Sequence, residues 1–100
     1  MIRHIVMWNF KDGFSREENR GNAQKVKAEL ESLANIIPGI VSLEVVIDAL
    51  SSSSRDIALN SLFVSEKTLA AYQVHPEYVR VSQFVGTVMT NRACFDYVEI

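Results

Sequence analysis

The chain has 100 residues, 48% of them hydrophobic and 22% charged, which suits one compact domain spanning residues 1–100 and excludes wholesale disorder. Ten Lys and Arg against twelve Asp and Glu leave a net charge of -2, and no basic run is interleaved with aromatics, so a nucleic-acid partner is excluded.

The first segment, Ile2 to Phe10, is apolar at nearly every position. Ile2, His4, Val6, Trp8 and Phe10 fall on one side and Ile5 and Met7 on the other, the pattern of a strand buried on both faces. Charge at Arg3 interrupts the opening and no small-residue cleavage site follows, so it does not read as a signal peptide. Lys11-Asp12-Gly13 breaks the chain, and Ser15 followed by Glu18 is a capping box that starts a helix. Ala23, Val26, Leu30, Leu33 and Ile37 recur three and four apart, giving the helix one buried face, and Pro38-Gly39 stops it.

Val41, Leu43, Val45 and Ile47 alternate with Ser42, Glu44, Val46 and Asp48, as in an edge strand with one apolar face. Ser51 to Ser54 is a loop, and a third strand follows at about Ile57 to Val64, apolar on both faces. Ser65 caps a short helix carrying Leu69, Tyr72 and Val74, which Pro76 limits while opening the next helix. In that helix Tyr78, Val81, Val85 and Val88 keep the helical spacing. The last strand, Arg92 to Val98, carries Ala93, Phe95 and Tyr97 on one face and Cys94 as a small buried side chain. A single cysteine forms no internal disulfide and no thiolate metal cluster. With no apolar run near the roughly 18 residues of a membrane helix, the chain is expected to be soluble and cytoplasmic.

Strand, helix, strand, strand, two helices, strand is the order of a ferredoxin-like split βαβ α+β fold, an antiparallel sheet with helices on one face. Its inner strands are the first and third, the two that read as apolar on both faces. The face without helices then needs a second layer, so the expected partner is a second copy of this chain, packed sheet to sheet as a homodimer.

Three segments carry a family resemblance: His4-Ile5-Val6-Met7-Trp8-Asn9-Phe10-Lys11-Asp12-Gly13, Ile37-Pro38-Gly39 and Tyr72-Gln73-Val74-His75-Pro76-Glu77. In that order they resemble the stress-responsive A/B barrel (Dabb) domain over essentially the whole chain. The resemblance implies a dimeric α+β barrel. It implies little about chemistry, since most members have no assigned reaction, although a plant polyketide cyclase of the family closes its substrate without a cofactor through Tyr and His side chains. Matched position by position, this chain keeps His4, Tyr72 and His75 but has Tyr78 where that cyclase has its catalytic histidine, so the cyclase activity does not carry over.

His4, Tyr72 and His75 are thus the candidate catalytic residues, Tyr72 and His75 sharing a helix face that can converge on His4. Trp8, Phe63, Tyr78 and Phe84 are the candidate walls of a pocket suited to a small apolar or aromatic ligand. Against this stands a structural account. His4 is then a core histidine tied to a backbone carbonyl or a tyrosine hydroxyl, and His75 covers loose carbonyls at a helix C-terminus. No metal-ligand spacing, phosphate-cradling glycine loop or nucleophile triad stands out, so neither metal nor cofactor is expected. Three functions follow. The chain is a small cofactor-independent enzyme acting on a carbonyl-bearing or aromatic metabolite, cyclase-like or lyase-like. Alternatively it is a non-catalytic dimeric ligand-binding or stress-associated module, or, by fold analogy alone, a monooxygenase-like α+β barrel.

Overall fold

Ile2–Phe10 forms strand β1 of the computed structural model, which describes residues 1–100. Helix α1 (Arg16–Ser32) starts on the capping box: the Ser15 hydroxyl accepts from the Glu18 N–H at 3.0 Å, and the Glu18 carboxylate accepts from the Ser15 N–H at 2.8 Å. The helix ends at Ser32, short of Pro38, and a 3-10 turn at Leu33–Asn35 keeps Leu33 and Ile37 on the buried side. Strands β2 (Ile40–Val46) and β3 (Ile57–Phe63), helices α2 (Glu66–Val74) and α3 (Pro76–Val88), and strand β4 (Met89–Val98) complete the chain.

The strands form one antiparallel sheet in the order β2-β3-β1-β4, the ferredoxin-like α+β arrangement with β1 and β3 inside. Ile2, His4, Val6 and Trp8 of β1 and Ile57, Leu59, Ser61 and Phe63 of β3 are all buried. They face the apolar stripes of the helices: Ala23, Val26 and Leu30 of α1, Leu69 and Tyr72 of α2, Val81, Val85 and Val88 of α3. The opposite face has no helix over it. Register places Ile5 beside Phe95, Met7 beside Ala93 and Arg3 beside Tyr97 there, and Phe95 is 63% exposed. No helix is long and apolar enough to cross a membrane.

Gly39 shows why a proline-glycine pair ends the first half of the fold. Its φ is +90°, and a Cβ there would lie 2.5 Å from the Thr68 Cβ. Thr68 in turn completes the capping box of α2, its hydroxyl accepting from the Ser65 N–H at 3.0 Å. Only glycine tolerates both the left-handed backbone and the close approach.

Four details depart from expectation. A register shift between Ile40 and Ser42 turns Val41 out to solvent, so the apolar face of β2 rests on Leu43 and Val45. Val74 is exposed rather than packed, being the last residue of α2. Strand β4 begins at Met89, directly after α3, rather than at Arg92. Cys94 is exposed instead of buried, because β4 is an edge strand that the helices barely cover.

The other edge, β2, is held by its neighbouring helix. Lys27 Nζ donates to the Val45 carbonyl at 2.7 Å and Glu31 accepts from the Val45 N–H at 2.9 Å, while the two side chains pair at 2.7 Å. Both backbone groups of Val45 are thereby satisfied on the side where β2 has no neighbouring strand. The Lys27 ammonium and the Val45 N–H hold the Glu31 carboxyl below its ordinary value, against the opposing effect of desolvation, which is the largest single contribution.

Candidate active site

The sheet and α3 enclose a cavity of about 210 Å³. Its sheet side is His4, Val6 and Trp8 of β1 and Leu59 of β3, and its helix side is Leu30, Tyr78, Ser82, Val85 and Gly86. Met89, Thr90, Asn91 and Arg92 line it from β4. By volume it holds about seven waters' worth of ligand at ~30 Å³ each.

His4 lines the cavity from within the core, at 1% exposure. Its backbone carbonyl accepts from the buried Ser61 hydroxyl, 2.8 Å away on β3, which fixes the strand behind it. Its ring Nδ1 lies 2.5 Å from Asp96 Oδ1. The two residues are directly opposite in the β1–β4 register, so the pairing follows from strand alignment. An ionised carboxylate accepts only; Nδ1 is therefore the protonated nitrogen, and in the neutral ring Nε2 carries the lone pair. No protein atom hydrogen-bonds to Nε2.

Cys94 lies on the same strand, its Sγ 3.5 Å from Asp96 Oδ1 and 3.8 Å from His4 Nδ1. Partial desolvation and then the Asp96 carboxylate push its thiol above the ordinary value, the reverse of what activates a cysteine nucleophile. His4, Cys94 and Asp96 offer three donor atoms within 4.8 Å of one another. Two ligands of one tetrahedral zinc stand about 3.3 Å apart, given bonds of about 2.0 Å. The 2.5 Å between Nδ1 and Oδ1 is a hydrogen-bond distance, so the trio is arranged as a hydrogen-bonded pair beside a thiol.

Tyr72 stands behind this site. It is fully buried, with its ring 6.4 Å from His4, 4.9 Å from Phe63 and 4.4 Å from Tyr78 between centroids. Its hydroxyl has no hydrogen-bond partner. Burial first, and then Tyr78, push its pKa well above the ordinary 10.0, with Arg92 pulling the other way.

The residues singled out in the sequence divide by position. His4, Trp8 and Tyr78 line the cavity. Tyr72 and Phe63 form the aromatic layer next to His4. His75 sits at the junction of α2 and α3, where its Nδ1 accepts from the Glu77 N–H at 3.1 Å as the N-cap of α3. It caps the start of the following helix rather than the carbonyl end of the preceding one. Phe84 lies outside the cavity, with the Lys25 ammonium 4.3 Å above its ring. Asp96 and Arg92 were not picked out from the sequence; a polar residue between Cys94, Phe95 and Tyr97 gives no sign that it meets a histidine 92 positions away.

The architecture is that of the ferredoxin-like α+β proteins. Within that class, residues 2–99 match the stress-responsive A/B barrel domain, and the chain belongs to this family. A dimeric protein of unknown function and ferredoxin-like fold from Bacteroides fragilis is 29% identical, with a TM-score of 0.88 over 96% of this chain and 93% of that one. Hydroxynitrile lyase from Passiflora edulis has the same fold at 17% identity and TM-score 0.80, over 99% and 93% of the two chains. So does a Dabb family protein from Mesorhizobium loti, at 17% identity and TM-score 0.77 over 99% and 96%. No curated protein matches the sequence.

Proposed function

We propose that this chain is a cofactor-independent acid–base enzyme acting on a small carbonyl-bearing or aromatic metabolite, with His4 as its base. The observation that carries this reading is a buried imidazole bound on one side only, by Asp96, at the edge of a 210 Å³ cavity. Asp96 satisfies Nδ1, and Nε2 has no protein partner, which leaves it available to a ligand in the cavity that His4 lines. In the proposed step His4 Nε2 takes a proton from a substrate hydroxyl, or from a carbon beside a carbonyl. Asp96 holds the Nδ1 proton and stabilises the imidazolium so formed. The Tyr78 hydroxyl donates a hydrogen bond to the substrate oxygen, and Tyr72 supports Tyr78 by ring contact. His75 acts through its cap at the start of α3, holding Tyr78 in position.

The working assembly is a homodimer in the cytoplasm, formed through the sheet face without helices. Exposed Phe95, Tyr97 and Val46 support this, as does the dimeric state of the Bacteroides fragilis protein and of a ferredoxin-like protein from Thermobifida fusca.

The test is a panel of aromatic hydroxynitriles, together with exchange of the α-protons of phenylacetaldehyde in D2O. In the first, His4 Nε2 would take the hydroxyl proton, the C–O bond would become a carbonyl, and cyanide would leave with the electron pair of the broken C–C bond. Turnover of either probe that His4→Gln abolishes is the expected result. Inactivity on both probes, together with a His4→Ala variant that loses only thermal stability, would overturn the enzymatic reading and leave a binding module.

A further inference from the structure

Strand β4 carries an irregularity at the cavity. Its register with β1 shifts between Met7 and Asn9, so that Asn91 and Arg92 together stand opposite Trp8. Asn91 takes up the extra residue with a φ of 55°, the left-handed region that asparagine tolerates best after glycine. The bulge is pinned from two sides. Asn91 Nδ2 donates to Asn9 Oδ1 at 2.7 Å, and Arg55 Nε donates to the Asn91 carbonyl at 3.1 Å.

The bulge changes which side chains meet. Met89 and Arg92 are three apart, and in a regular strand residues of opposite parity point to opposite faces. With one residue inserted, both line the same cavity. Arg92 forms no ion pair with any carboxylate of the chain. The cavity therefore has an unpaired guanidinium on its β4 side and an apolar interior of Val6, Trp8, Leu59 and Val85.

We infer that the cavity takes a small carboxylate with an aromatic or branched aliphatic body, its carboxylate held by Arg92 and its body against Trp8. A guanidinium matches a carboxylate with two parallel N–H···O bonds, and the only cation of the cavity wall comes from β4, so the ligand enters with a fixed polarity. Its apolar carbons are then left toward His4.

This inference rests on the cavity of the proposed function being the ligand site, and it is independent of whether His4 performs chemistry. Trp8 is the single tryptophan of the chain, so its fluorescence reports occupancy directly. The experiment titrates phenylacetate and its neutral isostere phenylacetamide into the wild-type protein, Arg92→Gln, Arg92→Lys and His4→Gln, at low and high salt. Phenylacetate should bind at least tenfold more tightly than phenylacetamide at low salt. That preference should vanish in Arg92→Gln, persist in part in Arg92→Lys, shrink at high salt and survive in His4→Gln. Equal binding of the two probes, a preference that outlives Arg92→Gln, or no response to phenylacetate at millimolar concentration would each overturn it. Because Arg92 is exposed and without an ion pair, Arg92→Gln should melt within a few degrees of wild type. A protein inactive on both the hydroxynitriles and phenylacetaldehyde, whose His4→Ala variant loses only thermal stability, but which still discriminates phenylacetate from phenylacetamide, refutes the catalytic reading and leaves this one standing.

Discussion

His4 and Asp96 face each other across the β1–β4 ladder, Nδ1 and Oδ1 2.5 Å apart, with the imidazole buried and the carboxylate 38% exposed. The pairing sets the tautomer of the ring and puts its basic nitrogen on the side away from Asp96. Replacing Asp96 by Asn keeps the shape but lets the amide present a donor to Nδ1, which reverses the tautomer. Asp96→Asn is therefore expected to lower turnover on the hydroxynitrile or exchange probes at least about tenfold, as losses of a histidine's orienting partner do. Because the carboxylate is more than one-third exposed, the stability cost should stay near or below about 1 kcal/mol. For a domain of this size that is a fall in Tm of no more than about 4–8 °C. His4→Ala removes a packed core side chain as well and should cost about 2–4 kcal/mol. Comparing the two variants by calorimetry and turnover separates chemistry from packing.

Tyr72 offers the opposite combination. Its hydroxyl is buried without a partner, and an unsatisfied buried polar group costs about 1–3 kcal/mol. Tyr72→Phe should therefore raise stability, by about 1 kcal/mol in a urea melt. Its pKa is raised above 10.0 by burial, so the folded state holds the phenol proton more tightly than the unfolded state. That stabilisation is complete below pH 10 and is lost progressively as pH rises from there toward the folded pKa. Wild type should lose stability above about pH 10 more steeply than Tyr72→Phe. A phenolate absorbance titration should also show Tyr72 ionising only with unfolding, and a Tyr72 signal near pH 10 in the folded protein would refute the burial account.

The fold was largely legible because its information is local. Period-two and period-three-to-four patterns marked β1, α1, β3 and α3, Ser15 and Ser65 marked two helix starts, and double-faced apolarity placed β1 and β3 inside the sheet. The site was legible only where it sits on a strong pattern: His4 on a buried strand face, Trp8 beside it, Tyr78 at the head of an amphipathic helix. What escaped depends on register. The Asp96 partnership needs β4 aligned with β1, and a one-residue slip would have turned Asp96 to the other face. The meeting of Met89 and Arg92 needs a bulge that Asn91 permits but does not announce. Cys94 was misplaced for the related reason that burial of a small residue depends on what covers its strand, and β4 is an uncovered edge.

The uncovered sheet face gives a prediction of assembly. Phe95 and Tyr97 lie 5.8 Å apart between ring centroids, and Phe95 is 63% exposed. An aromatic pair at the β4 side of a face that also carries Ile5 and Met7 of β1 is the kind of anchor that dominates an interface. Size exclusion with light scattering should give twice the chain mass for wild type at micromolar concentration. Phe95→Glu places a charge where the second sheet would pack, and should shift the species to a monomer with the helix content intact by circular dichroism. A wild-type monomer at these concentrations would remove the dimer from the proposed function.

Gly39 and Gly13 allow backbone strain and steric overlap to be measured apart. Both have positive φ, +90° and +100°, but a Cβ on Gly13 meets nothing within 4 Å whereas one on Gly39 would come 2.5 Å from the Thr68 Cβ. Gly13→Ala should cost only the left-handed conformation, about 1 kcal/mol. Gly39→Ala adds a collision with the residue that completes the α2 capping box, so the loop, α2 or both must move. Its cost should exceed that of Gly13→Ala by about 2 kcal/mol, within the range of strain and overpacking effects. Because Tyr72 lies on α2 and packs against His4 and Tyr78, displacement of α2 should also alter phenylacetate binding at the cavity, which Gly13→Ala should leave unchanged. Trp8 fluorescence titrations of the two variants beside their urea melts make that comparison. Equal stabilities would mean that Thr68 yields freely and that the close approach of the loop to α2 is not what requires glycine at position 39.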